Sequence, residues 1–194
     1  MQRVCAVPGG VNAYQAEPDC LVTAETLKCL FCDDHHRLRR HGWYERRALL
    51  PDPAAPHKIA VVRLLCARTG QTISLLPDFC LARRQHGPAI LALFLEALLL
   101  GRALLDALRS VRREAPSHGV AQSLRDGFLR QAAKIRAYLA RLQPRAKDPP
   151  PGIGKDRLEL ARLFFGLSSG FESAVRAFTH HALAFHWRFK VALA

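Results

Sequence analysis

Acidic residues are scarce in this chain: 16 Asp and Glu stand against 29 Lys and Arg, for a formal charge of +13. Such an imbalance repels the compact state from itself and attracts polyanions, either nucleic acid or an anionic membrane surface. Long apolar runs are missing too. The longest, Ala89 to Leu100, contains Glu96 and falls well short of the roughly 20 residues a bilayer span needs, so a buried helix is expected there and no membrane partner. The stretch Met1 to Gly10 lacks the apolar centre of a secretory signal, and a cytoplasmic location is expected. No internal repeat is visible. Six cysteines without a signal point to metal binding or reduced thiols rather than a disulfide framework.

What the chain does have is apolar material and arginine. Hydrophobic residues make up 49% of 194 positions, enough for a sizeable core in one ordinary domain or two small ones, which argues against disorder. Most of the cations are Arg, whose planar fork suits phosphate and guanine better than the Lys ammonium does.

The chain divides by pattern into an N-terminal extension (1–27), a β-rich segment (28–87), a basic helical segment (88–143), a Pro-rich linker (144–154) and C-terminal amphipathic helices (155–194). Within the β-rich segment, runs from Leu38 to Leu50 and from Lys58 to Leu65 read as strands. The Pro51–Pro56 stretch between them cannot continue a ladder and reads as the hairpin loop. A third β-like run, Gln71 to Leu76, stops at Pro77. From Pro88 onward helical periodicity takes over, with helices expected over Ala89–Leu100, Arg102–Arg113 and Val120–Leu142. The last segment reads as helices broken near Gly166–Gly170, with Phe171, Val175, Phe178, Ala182 and Phe185 as an apolar stripe. The expected class is therefore α+β: a small hairpin domain of zinc-ribbon type followed by a mostly α-helical region with a helix-turn-helix.

Cys29-Leu30-Phe31-Cys32 is a C-x-x-C knuckle, and Cys66-Ala67-Arg68-Thr69-Gly70 has the outline of a second. Two such knuckles at the end of a hairpin can close a tetrahedral zinc site with thiolates. Cys29, Cys32 and Cys66 are the candidate ligands. Thr69 stands where a fourth cysteine belongs, and a hydroxyl is a poor zinc ligand beside thiolate and imidazole. Three outcomes stay open: a fourth ligand from Cys20, His35, His36, His41 or Cys80; three ligands plus water; or a metal-free hairpin with buried thiols. Asp33-Asp34-His35-His36 offers the start of a metal-dependent nuclease, but no second Asn/His element completes it.

Residues 101–145 carry ten basic side chains against three acidic ones. On a wheel advancing about 100° per residue, Arg130, Lys134 and Arg141 share one flank of the expected third helix, and Arg125 and Arg136 the other. The apolar stripe lies between. That arrangement suits a helix seated on a core with its outer face toward phosphates. Arg39, Arg40, Arg46 and Arg47, with Trp43 and Tyr44 among them, form a second candidate nucleic-acid patch, because aromatics interleaved with Arg can stack on bases.

The motifs His41–Arg47, Val62-Arg63-Leu64-Leu65-Cys66 and Gly70–Phe79 resemble a bacterial family of small, mobile-element-linked proteins. Its members pair an N-terminal zinc-ribbon-like domain with a helix-turn-helix. The resemblance covers roughly residues 28–145 and implies DNA binding as a transposase-like or transposition-accessory factor. The partners it implies are DNA and a transposase, or a second copy of the chain. After Gly154 only Asp156, Glu159 and Glu172 are acidic, too few for a three-carboxylate core, so no enzymatic activity is expected. RNA binding or protein interaction through the helices is the alternative.

Overall fold

The computed structural model describes residues 1–32, 36–52, 58–111, 116–142 and 159–191. The chain is α+β and separates into two compact units, Met1–Gly87 and Pro88–Ala194. The Asp33–His35 segment and the Pro-rich stretch at 144–154 lie outside the described residues.

The first unit is built on a four-stranded sheet in the order β1-β4-β3-β2. Strands β2 (Arg39–Arg47) and β3 (Lys58–Leu65) are antiparallel, with a register shift between Arg40 and Gly42. Strand β4 (Thr72–Pro77) continues the antiparallel ladder on β3. The near-continuous apolar run of β3 buries Ile59, Val61, Val62 and Leu64, as a central strand covered on both faces must. On the outer strand β2 the pattern alternates instead, leaving Trp43 60% exposed and Tyr44 half-buried. A fourth strand, β1 (Gln2–Cys5), pairs parallel to β4, Gln2 with Ser74 through Cys5 with Pro77. The sequence pattern gives only an N-terminal extension here. A short edge strand lacks enough alternation to announce itself, and β4 supplies the hydrogen bonds. Helix α1 (Gly10–Ala16) inserts Tyr14, whose hydroxyl donates to the Ala60 carbonyl at 2.6 Å while its ring meets Phe79 edge-on.

The second unit packs helices around α2 (Pro88–Leu99), which buries seven of its residues and is apolar nearly all round, as a core helix is. Gly101 ends it in a left-handed conformation (φ 83°), with Gly101 N–H to Leu98 O and Arg102 N–H to Ala97 O. Helix α3 is short (Leu104–Arg109) where a helix reaching Arg113 was expected. The long third helix is two: α4 (His118–Arg130), capped by Ser117, and α5 (Ala132–Leu142), separated at Gln131. Neither Gly nor Pro marks this break. Packing decides it, because the turn aims Tyr138 at Phe164 of α6 (Glu159–Gly166) and at Phe185 of α7 (Ala174–Phe189).

Candidate metal centre

The segment before β2 folds back on itself. Lys28 and Arg37 form an antiparallel bridge, Leu38 N–H donates to Leu27 O at 2.7 Å, and Cys29 N–H to His36 O at 3.1 Å. This small hairpin returns His36 beside the Cys29–Cys32 knuckle. The second knuckle begins where β3 ends: Gly70 N–H reaches Cys66 O at 2.9 Å, with Gly70 left-handed (φ 69°), and the register of β2 on β3 carries Cys66 to the first knuckle.

The result is a cluster of Cys29, Cys32, His36 and Cys66, with ligand atoms all within 4.8 Å of one another. Cys29 Sγ and Cys32 Sγ are 3.5 Å apart, and Cys32 Sγ and Cys66 Sγ 3.9 Å. His36 places Nδ1 3.4 Å from Cys32 Sγ and Nε2 3.5 Å from Cys66 Sγ. Ligands about 2.3 Å (sulfur) and 2.0–2.1 Å (nitrogen) from a tetrahedral ion are separated by about 3.8 Å (S···S) and about 3.5 Å (S···N). The Cys29–Cys32 and Cys32–Cys66 sulfur separations are close to that spacing, and His36 can offer one of its two nitrogens to the same group, so the four residues could hold a metal ion. None of the described cysteines is in a disulfide.

Backbone amides complete each knuckle: Phe31 N–H points at Cys29 Sγ and Thr69 N–H at Cys66 Sγ, both at 3.4 Å. Thr69 has a second part. A hydrogen bond from its hydroxyl is the main reason the Cys66 thiol is lowered to about 6, against desolvation and with help from the Thr69 and Arg68 amides. Cys32 is pushed up to about 11 by desolvation and its thiol neighbours. Thr69 therefore stands beside the Cys66 sulfur, and its Oγ1 also accepts from Gln71 N–H at 3.3 Å. Of the other fourth-ligand candidates, Cys80 is buried with its thiol pushed up to about 12 by burial, Cys20 is likewise raised by burial, and His41 is exposed on β2. None of these belongs to the cluster. His35 lies outside the described residues.

The candidate nucleic-acid residues fall into two groups. Arg40 is held by the Asp19 carboxylate through Nε (3.2 Å) and Nη2 (3.0 Å). Arg46 donates through Nη2 to the Leu81 carbonyl at 2.6 Å and to that of Arg84, fastening the loop after β4. Arg47 also has a partner, and Arg125 pairs with Asp126 at 2.9 Å. Arg39, Arg130, Lys134, Arg136 and Arg141, by contrast, are exposed and make no ion pair among the described residues.

The chain matches no family model, no curated protein and no solved structure.

Proposed function

We propose that this is a zinc-stabilised DNA-binding protein that grips the duplex backbone with α5 and the end of α4. One observation carries the reading: Arg130, Lys134, Arg136 and Arg141 are exposed and make no ion pair among the described residues, and α5 has no acidic residue to oppose them. Like charges gathered on so short a stretch repel one another, and a polyanion turns that repulsion into binding energy by releasing its counterions.

In this reading the first unit is a zinc-ribbon-like module. Cys29, Cys32, His36 and Cys66 hold a structural Zn2+, because three thiolates and an imidazole at these separations suit that ion and leave no open position for chemistry. Helices α3 to α5 serve as the helix-turn-helix part, with α5 against DNA. The resemblance to mobile-element-linked proteins supports a transposition-accessory role beside a separate transposase. No residue is assigned a catalytic part, and His36, needed by a nuclease, is engaged with two cysteine sulfurs instead.

The test is duplex binding across salt concentration, with metal content measured on the same sample. One zinc per chain is expected. With about 0.9 of slope per phosphate contact, these four cations alone contribute about −3 to −4 to the log–log slope. A flat profile, or no binding, rejects the reading.

A further inference from the structure

We infer that the small hairpin carrying the metal donors also forms a phosphate-binding patch of Lys28, Arg37 and Arg39, so that metal loading and nucleic-acid affinity are coupled. This rests on the reading above that the polyanion is DNA.

Lys28 and Arg37 are partners in an antiparallel bridge. Directly opposed side chains on a ladder sit about 4.5–5.5 Å apart at Cβ, and like charges there are destabilising. Both are exposed, and among the described residues neither has a hydrogen-bonding or ionic partner for its side chain. Arg39 joins them. Leu38 between the two arginines is buried at 3% exposure, so alternation sends Arg37 and Arg39 to the same, outer side. The neighbouring acids are committed elsewhere, Glu25 to Arg3 at 2.7 Å and Asp19 to Arg40 at 3.0 Å. Asp33 and Asp34 lie outside the described residues. Among the described residues no acid is paired with these three cations, so an anion would relieve their repulsion, and two of them carry the guanidinium fork suited to phosphate oxygens.

The link to the metal is covalent. Lys28 precedes Cys29, and Arg37 follows His36, while Cys29 N–H to His36 O (3.1 Å) closes the pair. Arg39 stands opposite Leu65, the residue before Cys66. An ion joining Cys29, Cys32, His36 and Cys66 thus ties together the backbone segments from which all three cations project. Without it, their mutual repulsion opens the hairpin. The patch differs from the one the sequence suggested: Arg40 and Arg46 are occupied by Asp19 and by loop carbonyls, and Lys28 and Arg37 take their place.

The experiment compares full-length zinc-loaded protein, the K28Q/R37Q/R39Q variant and a K134Q/R136Q/R141Q variant on a fluorescein-labelled mixed-sequence DNA duplex over a salt series. All three patch side chains are exposed, so the first variant is expected to keep its zinc and circular dichroism. Its salt slope should be shallower by about 2–3, with at least about tenfold weaker binding at moderate salt. Chelation should bring the unmodified protein down to the level of K28Q/R37Q/R39Q and leave that variant unchanged. Unaltered affinity and slope in K28Q/R37Q/R39Q, while K134Q/R136Q/R141Q loses binding, overturns the patch and leaves the DNA reading standing. Chelation that weakens both proteins equally overturns the coupling. If the unmodified protein ignores the duplex, or binds only phosphatidylserine vesicles, the DNA reading itself fails.

Discussion

His36 Nε2 lies 3.5 Å from Cys66 Sγ, across a separation of 30 positions in the chain. The contact joins the hairpin before β2 to the turn after β3. It brings an imidazole to the candidate metal cluster, where Thr69 stands in place of a fourth cysteine.

That assignment separates two substitutions. His36→Ala removes a donor and is expected to abolish stoichiometric zinc binding. Thr69→Val removes a hydroxyl that lies beside the Cys66 sulfur and accepts from Gln71 N–H at 3.3 Å, and losses of such outer partners cost about 10–100-fold in metal affinity. Competition with a chromogenic chelator measures both. Equal losses in the two variants would show that Thr69 ligates after all.

Arg46 and Lys134 should part company in stability. Arg46 holds the carbonyls of Leu81 and Arg84, and its truncation leaves them without a charged donor. At about 1.5–3 kcal/mol for a hydrogen bond to a charged group, Arg46→Ala is expected to lower unfolding free energy by about 2 kcal/mol or more. Lys134→Ala, at an exposed and unpaired position, should stay within about 0.5 kcal/mol. Urea titrations of the two variants check this.

Gly87 is fixed by space. A Cβ there would stand 2.4 Å from the Phe79 carbonyl oxygen, and the residue's N–H already donates to Leu49 O at 3.0 Å. Because the obstacle is backbone, Gly87→Ala cannot be absorbed by a side-chain rotation, and a loss of about 1–3 kcal/mol is expected. Gly70→Ala meets no neighbour but inherits a left-handed φ of 69°, so its cost of about 1–2 kcal/mol comes from backbone strain alone. Thermal melts of both variants should show destabilisation.

Acid should weaken the helical unit. His181 is buried, with Nδ1 2.9 Å from the Tyr138 hydroxyl, and burial foremost, then His180, pulls its pKa below 6.5. His186 is lowered by burial as well. The unfolded chain therefore takes up protons that the folded one refuses. The contribution of these histidines is complete above about pH 6.5 and is lost as pH falls below that value. Melting temperature should drop between pH 7.5 and pH 5. Tyr138→Phe, which orphans His181 Nδ1, should cost about 1–3 kcal/mol at neutral pH. A melting temperature independent of pH over that range would contradict the burial of both imidazoles.

Much of the architecture is legible along the chain. The run Lys58–Leu65 is readable as a strand because nearly every residue is apolar or β-prone, and Pro88 with the apolar stretch behind it announces α2. The division of α4 from α5 is not legible. Phe128 and Ile135 are spaced as on one continuous helix, and only the packing of Phe128 against Phe164 and Phe178, and of Tyr138 against Phe164 and Phe185, goes with the turn at Gln131.

By itself, the sequence determined the α+β class, the excess of cations, the two knuckles and the three cysteines worth calling ligands, since each depends on composition or on spacing within a few residues. Tertiary structure decided what depends on distant partners. It chose His36 over Cys20, His41 and Cys80, because strand register and the Lys28–Arg37 bridge bring that ring to the sulfurs. It paired β1 with β4. It also sorted the arginines, occupying Arg40 and Arg46 internally while Arg39 and the α5 cations make no ion pair among the described residues. A charge reads the same in a sequence whether or not an acid or a carbonyl stands beside it. Only the folded chain supplies the partner.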